Sequence, residues 1–370
     1  MKLSETILSV RDLHVQFSLR GRKLHALRGI TLDVMAGESI AVVGESGSGK
    51  SVLNKTFIGL LDKNGTVSGG EIRYYGMGDK FRNHPAGGRE EDGRNYVDLA
   101  RLKNDKDWLR IRGSEICMIP QDPMTSLNPL KRIGWQIREA LELHRGMKGQ
   151  MAYDETIRIL EDVGIDDPHR RYRQYPHEFS GGMRQRVVIA IAIACSPRIL
   201  ICDEPTTALD VTIQAQVLSL LKALKEKYSL TVIFITHDLG VVANIADRVA
   251  VMYAGDIIEL GTAEEIFYDA RHPYTWALLS SLPQLGVKGE DLYSIQGTPP
   301  SLFKEVPGDA FAARNPQALV IDKLERPPYF DVSPTHRART WLLDPRAPKL
   351  EPPAAIAKLR EMGGVHNDQA

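Results

Sequence analysis

The chain is predicted to adopt an α/β fold: a parallel sheet forms the core, flanked by an antiparallel β edge, an inserted α-helical lobe and a C-terminal extension. Three features of its 370 residues predict this. A short apolar strand, Ser39 to Val43, runs straight into the glycine-rich segment Gly44 to Ser51. A second strand, Ile199 to Cys202, is apolar at every position, as strands covered on both faces are. Helix-like and strand-like periods then alternate from Gly181 to about residue 260, which calls for parallel pairing through crossovers.

The elements follow in order. Residues 7–17 and 27–34 alternate apolar and polar, with Gly21-Arg22 marking the turn between them, so they read as an antiparallel hairpin ahead of the core strand. In Gly44-Glu45-Ser46-Gly47-Ser48-Gly49-Lys50-Ser51 the glycines let successive backbone N–H groups converge on one anion. Lys50 adds a charge for the outer phosphates and Ser51 a hydroxyl for Mg²⁺. The helix expected from Lys50 to Leu61, with Val52 in its first turn, brings its positive end to the same place. A bound nucleoside triphosphate is therefore expected.

A short strand at 69–76 precedes the polar stretch 77–113, which reads as a solvated, partly mobile insertion. Helical periodicity fills 132–164, and a further helix spans Gly181 to about Cys195. Beyond Gly261 prolines accumulate, and the end after about Pro352 is expected to fray. The organisation predicted is thus a nucleotide-binding core at 1–120 and 187–261, a helical lobe at 121–186, and an extension at 262–370.

Asp203-Glu204 follows the apolar strand at its C-terminal end, where open α/β sheets place their ligands. Asp203 suits Mg²⁺ binding beside Ser51, and Glu204 suits deprotonation of the water that attacks the γ-phosphate. His237 ends the next strand, within reach of the same phosphate. Gln121 follows another apolar strand, and its neutral amide can touch both metal and water. Phe179-Ser180-Gly181-Gly182-Met183-Arg184-Gln185-Arg186 opens a helix with a serine N-cap, bare glycine amides and two early arginines. Such a start suits an anion. Because the glycine-rich loop already holds this chain's own nucleotide, the anion is inferred to be a second nucleotide presented by another subunit.

Lys plus Arg and Asp plus Glu both total 47, so no global basic field draws in nucleic acid. No segment reaches the roughly 20 apolar residues that span a bilayer. The three cysteines, at 117, 195 and 202, lie in apolar runs without metal-type spacing and read as buried hydrophobes of a reduced, cytosolic protein.

In their order and spacing, the Gly44 to Ser51 loop, Gln121, Ser180-Gly181-Gly182, Ile199 to Glu204, Ala208-Leu209-Asp210 and His237 resemble the nucleotide-binding subunits of ATP-binding cassette transporters, over residues 7–260. Those are P-loop NTPases with a RecA-like core. Tyr175 to Arg186, His272-Pro273-Tyr274-Thr275 and Gly297 to Leu302 are similar to the oligopeptide/dipeptide/nickel import branch, above all to the first ATPase of an oligopeptide importer. The resemblance implies ATP and Mg²⁺ as ligands and two cassettes closing head to tail, with a second, different ATPase subunit as partner. It implies that Ser180, Gly181, Gly182, Met183 and Gln185 face the partner's ATP, that Ala208, Leu209 and Asp210 lie at the dimer interface, and that Phe17 stacks on the adenine. It further implies two membrane permeases docked near Gln121 and the helical lobe, a peptide-binding receptor acting indirectly, and a peripheral location on the cytoplasmic face of the membrane. Many branch members hold an iron–sulfur cluster on four extension cysteines. This chain has no cysteine after 202, so no cluster is expected. An ATP-driven clamp acting on nucleic acid or ribosomes is the competing class. It fits less well, because neither a second phosphate loop nor sustained heptads occur.

Overall fold

The computed structural model describes residues 5–206, 209–282 and 295–362. The order begins β1 (Thr6–Leu19), β2 (Arg22–Met35), β3 (Ser39–Val43), α1 (Lys50–Phe57), β4 (Gly65–Tyr74), β5 (Gly87–Arg89), β6 (Asn95–Asp98), α2 (Asp105–Trp108) and β7 (Ile116–Ile119). The helices α3 (Pro123–Ser126), α4 (Ile133–Arg145), α5 (Gly149–Asp162), α6 (Pro168–Arg171) and α7 (Gly181–Ala194) follow without a strand among them. Then come β8 (Ile199–Asp203), α8 (Val211–Tyr228), β9 (Thr231–Thr236), α9 (Leu239–Ile245), β10 (Arg248–Tyr253), β11 (Asp256–Thr262), α10 (Ala263–Tyr268) and α11 (Pro273–Ser280). Two short strands, β12 (Phe330–Asp331) and β13 (Arg337–Ala338), and α12 (Ala354–Met362) end the described chain.

Two sheets result. The larger runs β12-β13-β11-β10-β3-β9-β8-β7. Its five strands from β10 to β7 are parallel, while β11, β13 and β12 add antiparallel pairs. The second sheet, β2-β1-β4-β6-β5, is antiparallel throughout. Strand β3 shows why a parallel strand must be apolar at every position. Ile40 and Val42 belong to the core between the two sheets, and Ala41 and Val43 to the core under the helices.

Three expectations need correction. The first helix stops at Phe57 rather than Leu61, because Gly59 takes a left-handed φ of +62° and a Cβ there would come within 2.2 Å of the Trp108 ring. The 77–113 stretch is not a loose insertion. It supplies β5 and β6 to the antiparallel sheet and buries Phe81, Val97, Leu99 and Trp108 in the intersheet core. Most of its charges face solvent, while Glu90 pairs with Arg73 of β4 and Arg94 stacks on Tyr75. The segment after Pro352 also does not fray at once, since α12 packs Ile356 and Leu359 into the helical-side core. As expected, Cys195 and Cys202 are buried; Cys117 is partly so.

Candidate nucleotide site

Register assembles the site. Val43 pairs with Thr236, Asp203 with Ile235, and Ile119 with Cys202, so the loop after β3, the carboxylates of β8, His237 and Gln121 all leave the same edge of the sheet. A cavity of about 950 Å³ opens there. Ser46, Gly47, Gly49, Lys50, Ser51, Val52, Gln121, Glu204, His237 and Phe17, all singled out from sequence, line it. Gly44, Glu45 and Ser48 stand behind the lining and shape the loop.

The loop's glycines have distinct reasons. A Cβ on Gly44 would sit 2.1 Å from the Met252 carbonyl oxygen of β10. Gly49 is the N-cap of α1 at φ +105°, and a Cβ would lie 2.9 Å from the Ala26 carbonyl. Only glycine allows β10 and the β2 backbone to approach this closely. The Lys50 ammonium curls back and donates to the carbonyls of Gly44 at 2.7 Å and Glu45 at 2.9 Å. Burial lowers its pKa, while Glu204, Asp203 and Glu45 hold it up.

Two side chains converge on the Glu204 carboxylate. Gln121 Nε2 donates to Glu204 Oε2 at 3.2 Å, and His237 Nδ1 lies 3.3 Å from Glu204 Oε1. Glu204 itself has φ +46°, an uncommon left-handed conformation fixed by its N–H donating to Ile235 O at 2.9 Å. A non-glycine residue held there is the kind of local strain that functional sites retain. Beside it, Asp203 Oδ1 is buried with no hydrogen-bond partner. Burial raises the Asp203 pKa and the Glu204 charge adds to this, against the opposing charge of Lys50. Among the described residues no cluster of three or more His, Cys, Asp or Glu is arranged to hold a metal alone. Ser51, Asp203 and Gln121 could instead complete the shell of a hydrated Mg²⁺ that takes its remaining ligands from phosphates and water.

The Ser180 region lies outside this cavity. Ser180 caps α7 by accepting the Met183 N–H, and a Cβ on Gly182 would meet Ile213 of α8 at 2.8 Å. Asp210 caps α8 by accepting the Ile213 N–H, so this helix start and the Leu209-Asp210 turn share one surface. One expectation shifts here. The Gln185 side chain is 1 % exposed, one turn into α7 and facing the interior of this chain, whereas Met183 is only partly buried against the helical-side core. The Ala208 expectation lies outside the described residues.

The site also contains residues that the motifs did not reveal. Tyr274 Oη accepts the Glu45 N–H at 2.8 Å, and Arg314 grips the Glu45 carboxylate at 2.7 and 3.1 Å. Pro300, Ser301, Leu302 and Phe303 line the cavity with Asp62 and Asn64. Tyr274 and Pro300 to Leu302 lie in the very motifs that marked the import branch, but nothing local in them points to a loop more than 200 residues away.

A glycine-rich loop and helix on a parallel sheet, paired carboxylates, a glutamine and a histidine at its C-terminal edge, and a helical lobe between β7 and β8 define a class. The chain belongs to the ABC transporter family: the family of that description is matched over residues 27–207, and that described as "Oligopeptide/dipeptide transporter, C-terminal region" over 258–320. Nearly end to end it is 55 % identical to the oligopeptide transport ATP-binding protein AmiE of Streptococcus pneumoniae, covering 99 % of both chains. It is 52 % identical to the dipeptide transport ATP-binding protein DppD of Lactococcus lactis, covering 94 % of both chains. It is also 50 % identical to the oligopeptide transport ATP-binding protein OppD of Bacillus subtilis, over 97 % of this chain and 95 % of that one. Among solved structures, cbiO1 of Clostridium perfringens, part of the transporter complex cbiONQ, superposes with a TM-score of 0.56 at 27 % identity, over 72 % of this chain and 92 % of that one. The dimeric bacterial cassette MJ0796 gives 0.56 at 25 %, over 69 % of this chain and 98 % of that one. No helix among the described residues is long and apolar enough to cross a membrane.

Proposed function

We propose that the chain hydrolyses ATP to drive oligopeptide import, as one of two cassettes bound to a pair of membrane permeases on the cytoplasmic face. The observation that carries this reading is the single cavity in which Lys50 and Ser51 meet Gln121, Glu204 and His237. Identity of 50–55 % to oligopeptide transport ATP-binding proteins along nearly the whole chain supports the substrate class.

In this mechanism the loop amides and Lys50 hold the β- and γ-phosphates. Glu204 accepts a proton from the water that attacks the γ-phosphorus, the bond to the β-phosphate oxygen breaks, and ADP departs. His237 and Gln121, already in contact with the Glu204 carboxylate, orient it and the water. Mg²⁺, when bound by Ser51, Asp203 and Gln121, neutralises charge on the phosphate oxygens. The buried, unpartnered Asp203 Oδ1 fits that role because a desolvated carboxylate oxygen is costly without a cation.

Ser180, Gly181 and Gly182 would face the nucleotide of a second, non-identical ATPase subunit, with Leu209 and Asp210 beside the contact. Phe17 would lie under the adenine. Permeases would dock near Gln121 and the helical lobe, and a peptide-binding receptor would act from the far side. No nucleic acid takes part. The test is ATP hydrolysis by the chain assembled with its permeases and partner ATPase in vesicles, with and without receptor loaded with dipeptide or longer peptide. Stimulation by longer peptide supports the reading, stimulation by dipeptide alone reassigns the cargo, and hydrolysis indifferent to either overturns peptide import.

A further inference from the structure

The half of the cavity away from the phosphate loop is built from three parts of the chain. Its floor is the β1–β2 hairpin, where Phe17 and Leu24 are cross-strand partners and Leu19 and Ala26 also face the cavity. Asp62 and Asn64 close the side toward β4, next to Gly65, which registers against Phe17. The extension closes the other side with Pro300, Ser301, Leu302 and Phe303.

This third wall is anchored. Strand β2 is the edge of its sheet, and from that edge the His25 N–H donates to Leu302 O at 2.9 Å. Arg22 sits over the Phe303 ring at 5.2 Å. Arg314, while holding Glu45, also donates to Gln296 O at 2.9 Å and Ile295 O at 3.3 Å, which ties the stretch leading to Pro300 to the phosphate loop. Yet the apolar surface so positioned is not used up within the chain. Leu19 is 39 % exposed and Phe303 36 % exposed at the mouth of the cavity. A flat heteroaromatic ring, held at a fixed distance from the loop by its own sugar and phosphates, is the chemistry that would cover them.

We propose that Leu302 and Phe303 of the C-terminal extension are nucleotide-binding residues, packing against the purine base of an ATP whose phosphates lie on the Gly44 to Ser51 loop. This rests on the cavity being the ATP site. It makes the extension part of that site, so that affinity for nucleotide depends on a segment almost 260 residues from the loop that defines it.

The experiment is calorimetric titration of the full chain with ATP and, as a probe without a base, inorganic tripolyphosphate. Phe303→Ala and Leu302→Ala should each weaken ATP binding roughly 3–10-fold while tripolyphosphate binding stays at the wild-type value. Phe303→Trp, which keeps an aromatic face, should retain ATP affinity. Unchanged ATP affinity in both alanine variants overturns the proposal, and so does an equal loss for ATP and tripolyphosphate, which would mean that the loop itself was disturbed. Lys50→Ala separates the two levels. If it abolishes ATP binding while Phe303 and Leu302 prove indifferent, only this inference falls; if it leaves ATP binding intact, the cavity is not the ATP site and both fall.

Discussion

Arg314 and Glu45, 269 residues apart in sequence, form a two-pronged ion pair at 2.7 and 3.1 Å that fastens the C-terminal extension to the phosphate loop. The Arg314 side chain is 5 % exposed, and its guanidinium also reaches Tyr253 Oη at 3.2 Å. Removing it takes the guanidinium partner from the Glu45 carboxylate. Arg314→Ala should therefore lower stability by about 1–3 kcal/mol and weaken ATP binding as the loop loosens. Arg314→Lys should recover only part of this, because an ammonium cannot make the fork. Urea unfolding and nucleotide titration on the three proteins check it.

Glu204 is placed as the group that activates water. Glu204→Gln should cut turnover at least about 10²-fold and leave ATP binding intact, since the amide keeps the shape and can still meet Gln121. Single-turnover hydrolysis beside equilibrium binding separates the two effects, and near-normal hydrolysis would remove Glu204 from this role.

Asp203 is placed as a cation partner by its buried, unpartnered oxygen. In Asp203→Asn the apparent Mg²⁺ affinity of the ATP complex should fall on the order of tenfold or more, while ATP binding in a chelator stays near wild type. The Asn variant should also be no less stable than wild type without ligand, because it relieves the repulsion from Glu204 that helps raise the Asp203 pKa.

Trp108, buried against Gly59, pins the 77–113 segment to the core. Trp108→Ala should destabilise the chain by about 3–5 kcal/mol and open this segment to proteases. A wild-type chain already cleaved rapidly within 77–113 would contradict the packing described.

In the helical lobe, hydrogen bonds from Arg158 and then Arg145 hold the Glu155 carboxyl at about 2, below its ordinary 4.5. A depressed carboxyl stabilises the fold above its unfolded-state value and loses that contribution as pH falls toward the folded one. Wild type should thus lose stability from about pH 4.5 downward, and Glu155→Gln should be less stable at neutral pH with a flatter acid limb. Thermal unfolding at several pH values reads the difference.

Local signals sufficed where the chemistry is local. The loop from Gly44 to Ser51 must be glycine-rich to present amides to phosphate, and a strand buried on both faces must read like Ile199 to Cys202, so the sheet, the loop and the carboxylates at strand ends were all legible in the residues themselves. What the sequence hid depends on partners distant in the chain. The 77–113 stretch looked loose because Phe81, Val97, Leu99 and Trp108 are scattered among charged residues, and composition does not show that β6 pairs with β4 and buries them. Gln185 looked available because its motif opens a helix, and only the packing of α7 turns it inward. The extension's hold on the loop and its wall at Leu302 and Phe303 rest on contacts between residues far apart in the chain, Tyr274 and Arg314 with Glu45 and Leu302 with His25 of β2. Periodicity and motif spacing record which backbone a residue sits on; which side chains meet across the sheets was decided by the tertiary fold.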